Sequence, residues 1–194
     1  MENLNWQCFV WMAAGFHPQP VLLAIAQWLA VYGAWLTVAV MLAYVWRNAD
    51  EWVYLAGTVL LCLLSIWLGH RLAVVLAHPR PFMVGMSPAY IPHAVRGSLP
   101  SVHACALFAL AFGMLARKPM RWAGGVALLV ALLVGWARVY CGIHFPFDIV
   151  AGVALAGLLA TVYAWLWSRY GLLLQPEPRP LAVTVIGSGT VKVD

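Results

Sequence analysis

The stretch RWAGGVALLVALLVGWARVYCGIHFPFD, residues 121–148, runs through apolar and small residues from Trp122 to Tyr140, broken only by Arg138, and then turns through a segment holding His144 and Asp148. As a helix rising about 1.5 Å per residue, the apolar part covers most of the roughly 30 Å hydrocarbon core of a bilayer. Lipid offers a backbone no hydrogen-bond partners, so such a run must be helical. Comparable runs lie at 21–46, 52–77 and 147–167. A shorter one at 100–116 carries Ala104, Ala106, Ala109 and Gly113, small residues that suit close helix packing. Ahead of them all, residues 3–16 mix Trp6, Phe9, Val10 and Met12 with polar side chains and end at His17-Pro18-Gln19-Pro20. That segment is too short to cross and is expected to lie along the interface. The predicted fold is all-α: a polytopic membrane bundle of five transmembrane helices plus an N-terminal interfacial helix. Residues 1–170 are expected to form one membrane-embedded domain and 171–194 a linker-like cytoplasmic tail.

Composition agrees. The chain is 64% hydrophobic and 9% charged, with a mean hydropathy of +0.88, whereas soluble domains are about a quarter charged. A water-soluble domain and a disordered chain are both excluded. The net charge of +5 is read first as a topology signal, and no nucleic-acid partner is expected. Cys8, Cys62, Cys105 and Cys141 are scattered without a CxxC pair, so neither a zinc site nor a disulfide framework is signalled. The N-terminus has no basic region and cleavage site of a secretory signal, so the first apolar run is expected to stay in the mature protein.

With five spans, Arg47, Arg117, Lys118, Arg121, Arg169, Arg179 and Lys192 fall on one face. Arg71, Arg80, Arg96 and Arg138 fall on or toward the other. The positive-inside rule makes the first face cytoplasmic. The N-terminus, the 77–99 connection and the 141–146 turn are then extracytoplasmic and the C-terminus cytoplasmic.

The scarce ionisable groups gather near the outward ends of the spans. Arg138, His144 and Asp148 share one junction, with Gly142 for the turn and Pro146 to start the next helix. Asp148 sits in a first helical turn, where the dipole favours a carboxylate that can orient an imidazole. Ser101 is a candidate N-cap with His103 in the turn after it, and helix starts bind anions. Arg80 stands between Pro79 and Pro81, and a guanidinium grips phosphate bidentately. Two arginines, a helix start and two histidines, one backed by a carboxylate, suit phosphoryl transfer through a phosphohistidine. Alone, His103 reads as a capping or packing imidazole; the joint pattern changes that reading. His78 and His93 read as solvated loop residues, and Tyr90, Trp136 and Tyr140 as interfacial aromatics.

These residues resemble the three-part motif of the type 2 phosphatidic acid phosphatase superfamily, which runs Lys, six residues, Arg-Pro; Pro-Ser-Gly-His; and Ser-Arg, five residues, His, three residues, Asp. Here the second part is Pro100-Ser101-Val102-His103 and the third Ala137-Arg138 through His144 to Asp148. Within the superfamily, chain length, span number, His78-Pro79-Arg80-Pro81-Phe82 and Arg-Val-Tyr-Cys-Gly-Ile-His-Phe-Pro look most like the bacitracin-resistance type of undecaprenyl-diphosphatase, over about residues 1–170.

The resemblance implies that His103 is the nucleophile, that His144 is the general acid and later the base, and that Asp148 polarises His144. Arg80, Arg138, Ser101 and the backbone at Val102 would hold phosphate. No metal or other cofactor and no obligate protein partner are implied; the bilayer and a polyprenyl or other lipid diphosphate are. The chain departs from the motif at Val102 for glycine, Ala137 for serine and Ala73 for lysine. His70, Arg71 and His78 are off the lysine position by helical phase, and Arg71 or Arg96 is the candidate substitute. The activity implied is removal of the terminal phosphate of undecaprenyl diphosphate at the outer leaflet of a bacterial cytoplasmic membrane. Phosphatidylglycerophosphate or phosphatidate hydrolysis and lipid A phosphotransfer are the rival reactions. A small proton-coupled transporter is the rival from another class, and it should spread titratable groups through the membrane depth.

Overall fold

In the computed structural model, residues 2–174 and the segments 184–186 and 190–192 are described. The elements are α1 (Glu2–Met12), α2 (Pro20–Arg47), α3 (Trp52–Leu76), α4 (Val102–Ala116), α5 (Arg121–Tyr140) and α6 (Pro146–Tyr170), joined by short 3-10 turns. Thr184–Ile186 and Thr190–Lys192 pair antiparallel, Val185 opposite Val191. The rest of the expected 171–194 tail, Arg179 included, lies outside the described residues.

The helix ends follow local chemistry. Pro20 and Pro146 occupy first-turn positions, where a missing N–H is harmless. Asn48 ends α2 by donating its side-chain amide to the Tyr44 carbonyl. Ala77 ends α3 in the left-handed region at φ 45°, just before His78-Pro79, where a helix cannot continue. It is therefore the cap of α3, not part of the span.

Among the described residues, four helices are long and apolar enough to cross a membrane. α4 is not one of them: its 15 residues rise about 22 Å, and Pro100 and Ser101 do not lengthen it because Ser101 is extended, with ψ 113°. It needs no lipid-matching length, since it is the buried axis of the bundle. α3, α5 and α6 pack around it, and Ala104, Cys105, Leu107–Ala111, Gly113 and Met114 are all buried. α2 packs on the outside of α5. In the spanning windows of α2 and α6 only 22% and 17% of residues are buried, against 56% for α5, so α2 and α6 present Trp28, Trp35, Leu42, Leu158 and Trp165 outward.

The two ends of the bundle differ. At one, Glu51 takes a bidentate pair of hydrogen bonds from Arg117 at 2.9 and 3.1 Å, and the guanidinium lies over Tyr54 and Trp167. The other end gathers the starts of α2, α4 and α6 with the ends of α3 and α5, and the 77–101 connection folds over it. α1 docks there on α5 and α6, burying Asn5 and Phe9 and leaving Trp6, Val10 and Trp11 exposed.

Candidate active site

The turn between α5 and α6 is built by Gly142, which adopts φ +74°; a side chain there would collide with the Pro88 carbonyl. This geometry sets His144 directly before α6. Asp148, fully buried in the first turn of α6, accepts the Phe145 N–H at 2.8 Å and the His144 Nδ1–H at 3.2 Å on the same oxygen, Oδ2. Its other oxygen accepts from Ser98 at 3.3 Å, and the Ser98 hydroxyl lies 3.1 Å from His78 Nδ1. His78 also packs edge-on against Phe145. It is thus built into the support of the carboxylate and does not wave in solvent.

Arg80 is 4% exposed and is held in place by carbonyls from two loops. Its Nε and Nη2 donate to Arg96 and Gly97, each at 3.0 Å, and Nη1 to Ile143 at 2.8 Å. The same Nη1 approaches His144 Nε2 at 3.2 Å. A guanidinium only donates, so Nε2 carries a lone pair and the imidazole proton sits on Nδ1, facing Asp148. Burial, with Arg138, Arg80, His93 and His103 around it, holds His144 well below the ordinary imidazole range.

Arg138, in the last turn of α5, is 3% exposed. It donates one hydrogen bond to the Ala30 carbonyl, and its Nε has no partner among the described residues. Ser101 caps α4 by position, but its side chain makes no capping bond: the hydroxyl is buried and has no partner among the described residues. The Ser101 backbone N–H instead donates to the Asp148 carbonyl at 2.9 Å, tying the start of α4 to α6. Unpaired buried polar atoms are costly in a folded interior; of these two residues Arg138 lines a hollow, whereas Ser101 sits between two residues that line it, Pro100 and Val102, and does not line it itself.

That hollow has a volume of about 150 Å³. Arg80, Arg138, His103, His144 and the Val102 segment line it, as the sequence led one to expect, and so do Arg96, His93 and His70. Arg71 does not. Two residues along a helix from Ala73 it points away from the hollow, is exposed, and lies over Trp67. His70, three residues from Ala73, returns to the hollow's face, which corrects its exclusion by helical phase. His93 is half-buried, its ring 6.0 Å from that of His144. Burial, with Arg80, Arg138 and Arg96 nearby, lowers it to about 4. No local sequence pattern marks His93, because its position depends on Arg80 drawing the 96–97 backbone inward. Tyr90 proves to be a strut, donating to the Gly15 carbonyl while its own backbone accepts from Gln27 and donates to Cys141.

Comparison with known proteins fits this arrangement. The PAP2 superfamily model matches residues 51–171. The undecaprenyl-diphosphatase BcrC of Bacillus subtilis is 27% identical over 177 residues, 89% of this chain and 87% of that protein. An undecaprenyl-diphosphatase of Sulfolobus acidocaldarius is 27% identical over 164 residues, 82% of this chain and 77% of that one. The crystal structure of Aquifex aeolicus LpxE shares the fold, with a TM-score of 0.67 at 21% identity, over 82% of this chain and 94% of that one. The chain belongs to the PAP2 superfamily and is a multi-pass membrane lipid phosphatase.

Proposed function

We propose that the protein removes the terminal phosphate of a polyprenyl diphosphate, undecaprenyl diphosphate in the first place, at the outer face of the cytoplasmic membrane. One observation carries the reading: three arginines, Arg80, Arg96 and Arg138, and four histidines, His70, His93, His103 and His144, line a single hollow, and no carboxylate among the described residues lines its wall. The two curated relatives named above add the substrate class.

In this mechanism a ring nitrogen of His103 attacks the terminal phosphorus, and the bond from phosphorus to the bridging oxygen breaks. His144 gives that oxygen its proton, so the lipid monophosphate leaves and a phosphohistidine remains. A water then attacks phosphorus, His144 takes its proton, and the nitrogen–phosphorus bond breaks to release inorganic phosphate. Arg80, Arg138, the Ser101 hydroxyl and the free N–H groups at the start of α4 stabilise the equatorial oxygens. The lone pair on His144 Nε2 suits the second step. The first needs a proton there, and the incoming anion supplies the reason: it draws Arg80 Nη1 toward itself and raises the proton affinity of the imidazole beside it. Asp148 fixes the ring throughout.

The test is phosphate release from undecaprenyl diphosphate by detergent-purified protein in EDTA, beside phosphatidylglycerophosphate, phosphatidate and lipid A. Wild type should release phosphate from the polyprenyl lipid fastest. His103→Ala should lower kcat by roughly 1,000-fold or more, since it removes the nucleophile. Near-native turnover by a folded His103→Ala variant would refute the assignment, and a faster rate on another lipid would move the substrate.

A further inference from the structure

We propose that Arg96 and His93, carried on the connection between α3 and α4, form a second phosphate subsite that makes the hollow selective for a diphosphate over a monophosphate. This rests on the reading of the hollow given above and concerns the part of the substrate that leaves.

Space is the first reason. About 150 Å³ is room for about five waters at roughly 30 Å³ each, more than the three oxygens of one transferred phosphoryl group fill. Charge is the second. Arg80, Arg138, His103 and His144 already suffice for one phosphoryl group, yet Arg96, His93 and His70 line the same wall. The Arg96 guanidinium makes no ion pair or hydrogen bond among the described residues; only its carbonyl is engaged, by Arg80.

The third reason is how the loop reaches the site. Ala73 stands where the superfamily motif has a lysine, and it too lines the hollow. Gly97 lies against it so closely that a Cβ on Gly97 would sit 2.0 Å from the Ala73 carbonyl oxygen and 3.4 Å from the Ala77 Cα. The loop backbone at Gly97 therefore closes onto the last turn of α3, beside the Ala73 carbonyl. The absent side chain at 97 permits that approach, and Arg96 next to it lines the hollow from the loop. His93 belongs to the same cluster, where burial first, and then Arg80, Arg138 and Arg96, oppose its protonation. An anion between them offsets the part of that opposition that comes from the arginines.

Farnesyl diphosphate and farnesyl monophosphate, which share one tail, separate the subsite from everything else. Phosphate release from each is measured for wild type, Arg96→Ala, Arg96→Lys and His93→Gln. Arg96→Ala should lower kcat/KM for the diphosphate at least tenfold more than for the monophosphate, chiefly through KM. Arg96→Lys should keep most of the selectivity, and His93→Gln should lose part of it. Because the Arg96 side chain is exposed and its carbonyl is untouched by substitution, Arg80 stays anchored in these variants. An unchanged ratio in Arg96→Ala, with both lipids still hydrolysed by wild type, overturns the subsite alone. Release from neither lipid by wild type overturns the subsite and the phosphatase reading together.

Discussion

His93 and His144 are neutral imidazoles held among Arg80, Arg138, Arg96 and His103, and that has a consequence for stability. Both have their proton affinity depressed in the folded protein, His93 to about 4, whereas an unfolded histidine titrates near about 6.5. Between those values the unfolded chain binds protons that the folded chain refuses, so each group's contribution is intact above about pH 6.5 and is lost as pH falls. His93→Gln removes one such group. Its Tm in detergent should therefore decline less than that of wild type between pH 7 and pH 5, and the gap should narrow in saturating inorganic phosphate, which favours protonated His93. Parallel Tm curves for the two proteins would contradict this. Motif spacing pointed to His103, His144, Asp148, Arg80 and Arg138, and the fold brings them together, four lining one hollow and Asp148 bonded to His144, because each is fixed by the helix end or proline turn it sits on. His93, His78 and Ser98 were not legible. Their places depend on long-range bonds, Arg80 to the 96–97 carbonyls and Ser98 to Asp148, which no local pattern encodes.

α1 shows the same division at the scale of an element. Its shortness and mixed polarity were readable, and its exposed Trp6 and Trp11 suit the interface expected of it. Its inner face does something hydropathy does not report. Asn5 Oδ1 accepts the Phe147 backbone N–H at 3.1 Å, one of the free donors at the start of α6. Phe9 meets the Phe145 ring edge-on at 5.2 Å, behind the turn that carries His144. Asn5→Ala leaves that N–H without its partner, at a cost of about 1–3 kcal/mol, and loosens the turn holding both His144 and Asp148. The expected outcome is a lower Tm and a kcat reduced severalfold with a smaller change in KM, since Arg138 is anchored on the Ala30 carbonyl and Arg80 keeps its bonds to the Arg96 and Gly97 carbonyls even where its bond to Ile143 loosens. Glu51→Gln makes the contrast. It breaks the Arg117 pair at the far end of the bundle, and should lower Tm slightly, by about 1 kcal/mol of stability or less, with turnover at 25 °C as in wild type. Equal effects of the two variants on kcat would show that α1 has no special hold on the site. α4 carries the other lesson of this scale: apolar length predicts a span only for a helix that must meet lipid, and a helix surrounded by α3, α5 and α6 is released from that constraint.

At the scale of the whole molecule, the bundle separates its charges by end. Arg47, Arg117, Lys118, Arg121 and Arg169 stand at the end away from the hollow, while at the near end Arg80 and Arg138 are buried in the site, leaving Arg71 and Arg96 as the exposed cations there. Positively charged residues resist translocation, so this asymmetry predicts that the hollow opens outside the cell and the Glu51–Arg117 end faces the cytoplasm. The same clustering argues against a proton-coupled transporter, which needs ionisable groups along the membrane depth. Orientation is open to direct measurement. Val95, on the loop over the hollow, is 77% exposed, and Lys118, at the opposite end, is exposed as well. In a Cys8→Ser background, where the remaining cysteines are buried, Val95→Cys should react with a membrane-impermeant maleimide on intact cells. Lys118→Cys should react only after permeabilisation. The reverse pattern would turn the hollow toward the cytoplasm, and a diphosphate headgroup would then have to be supplied from the inner leaflet, a different role for the same chemistry.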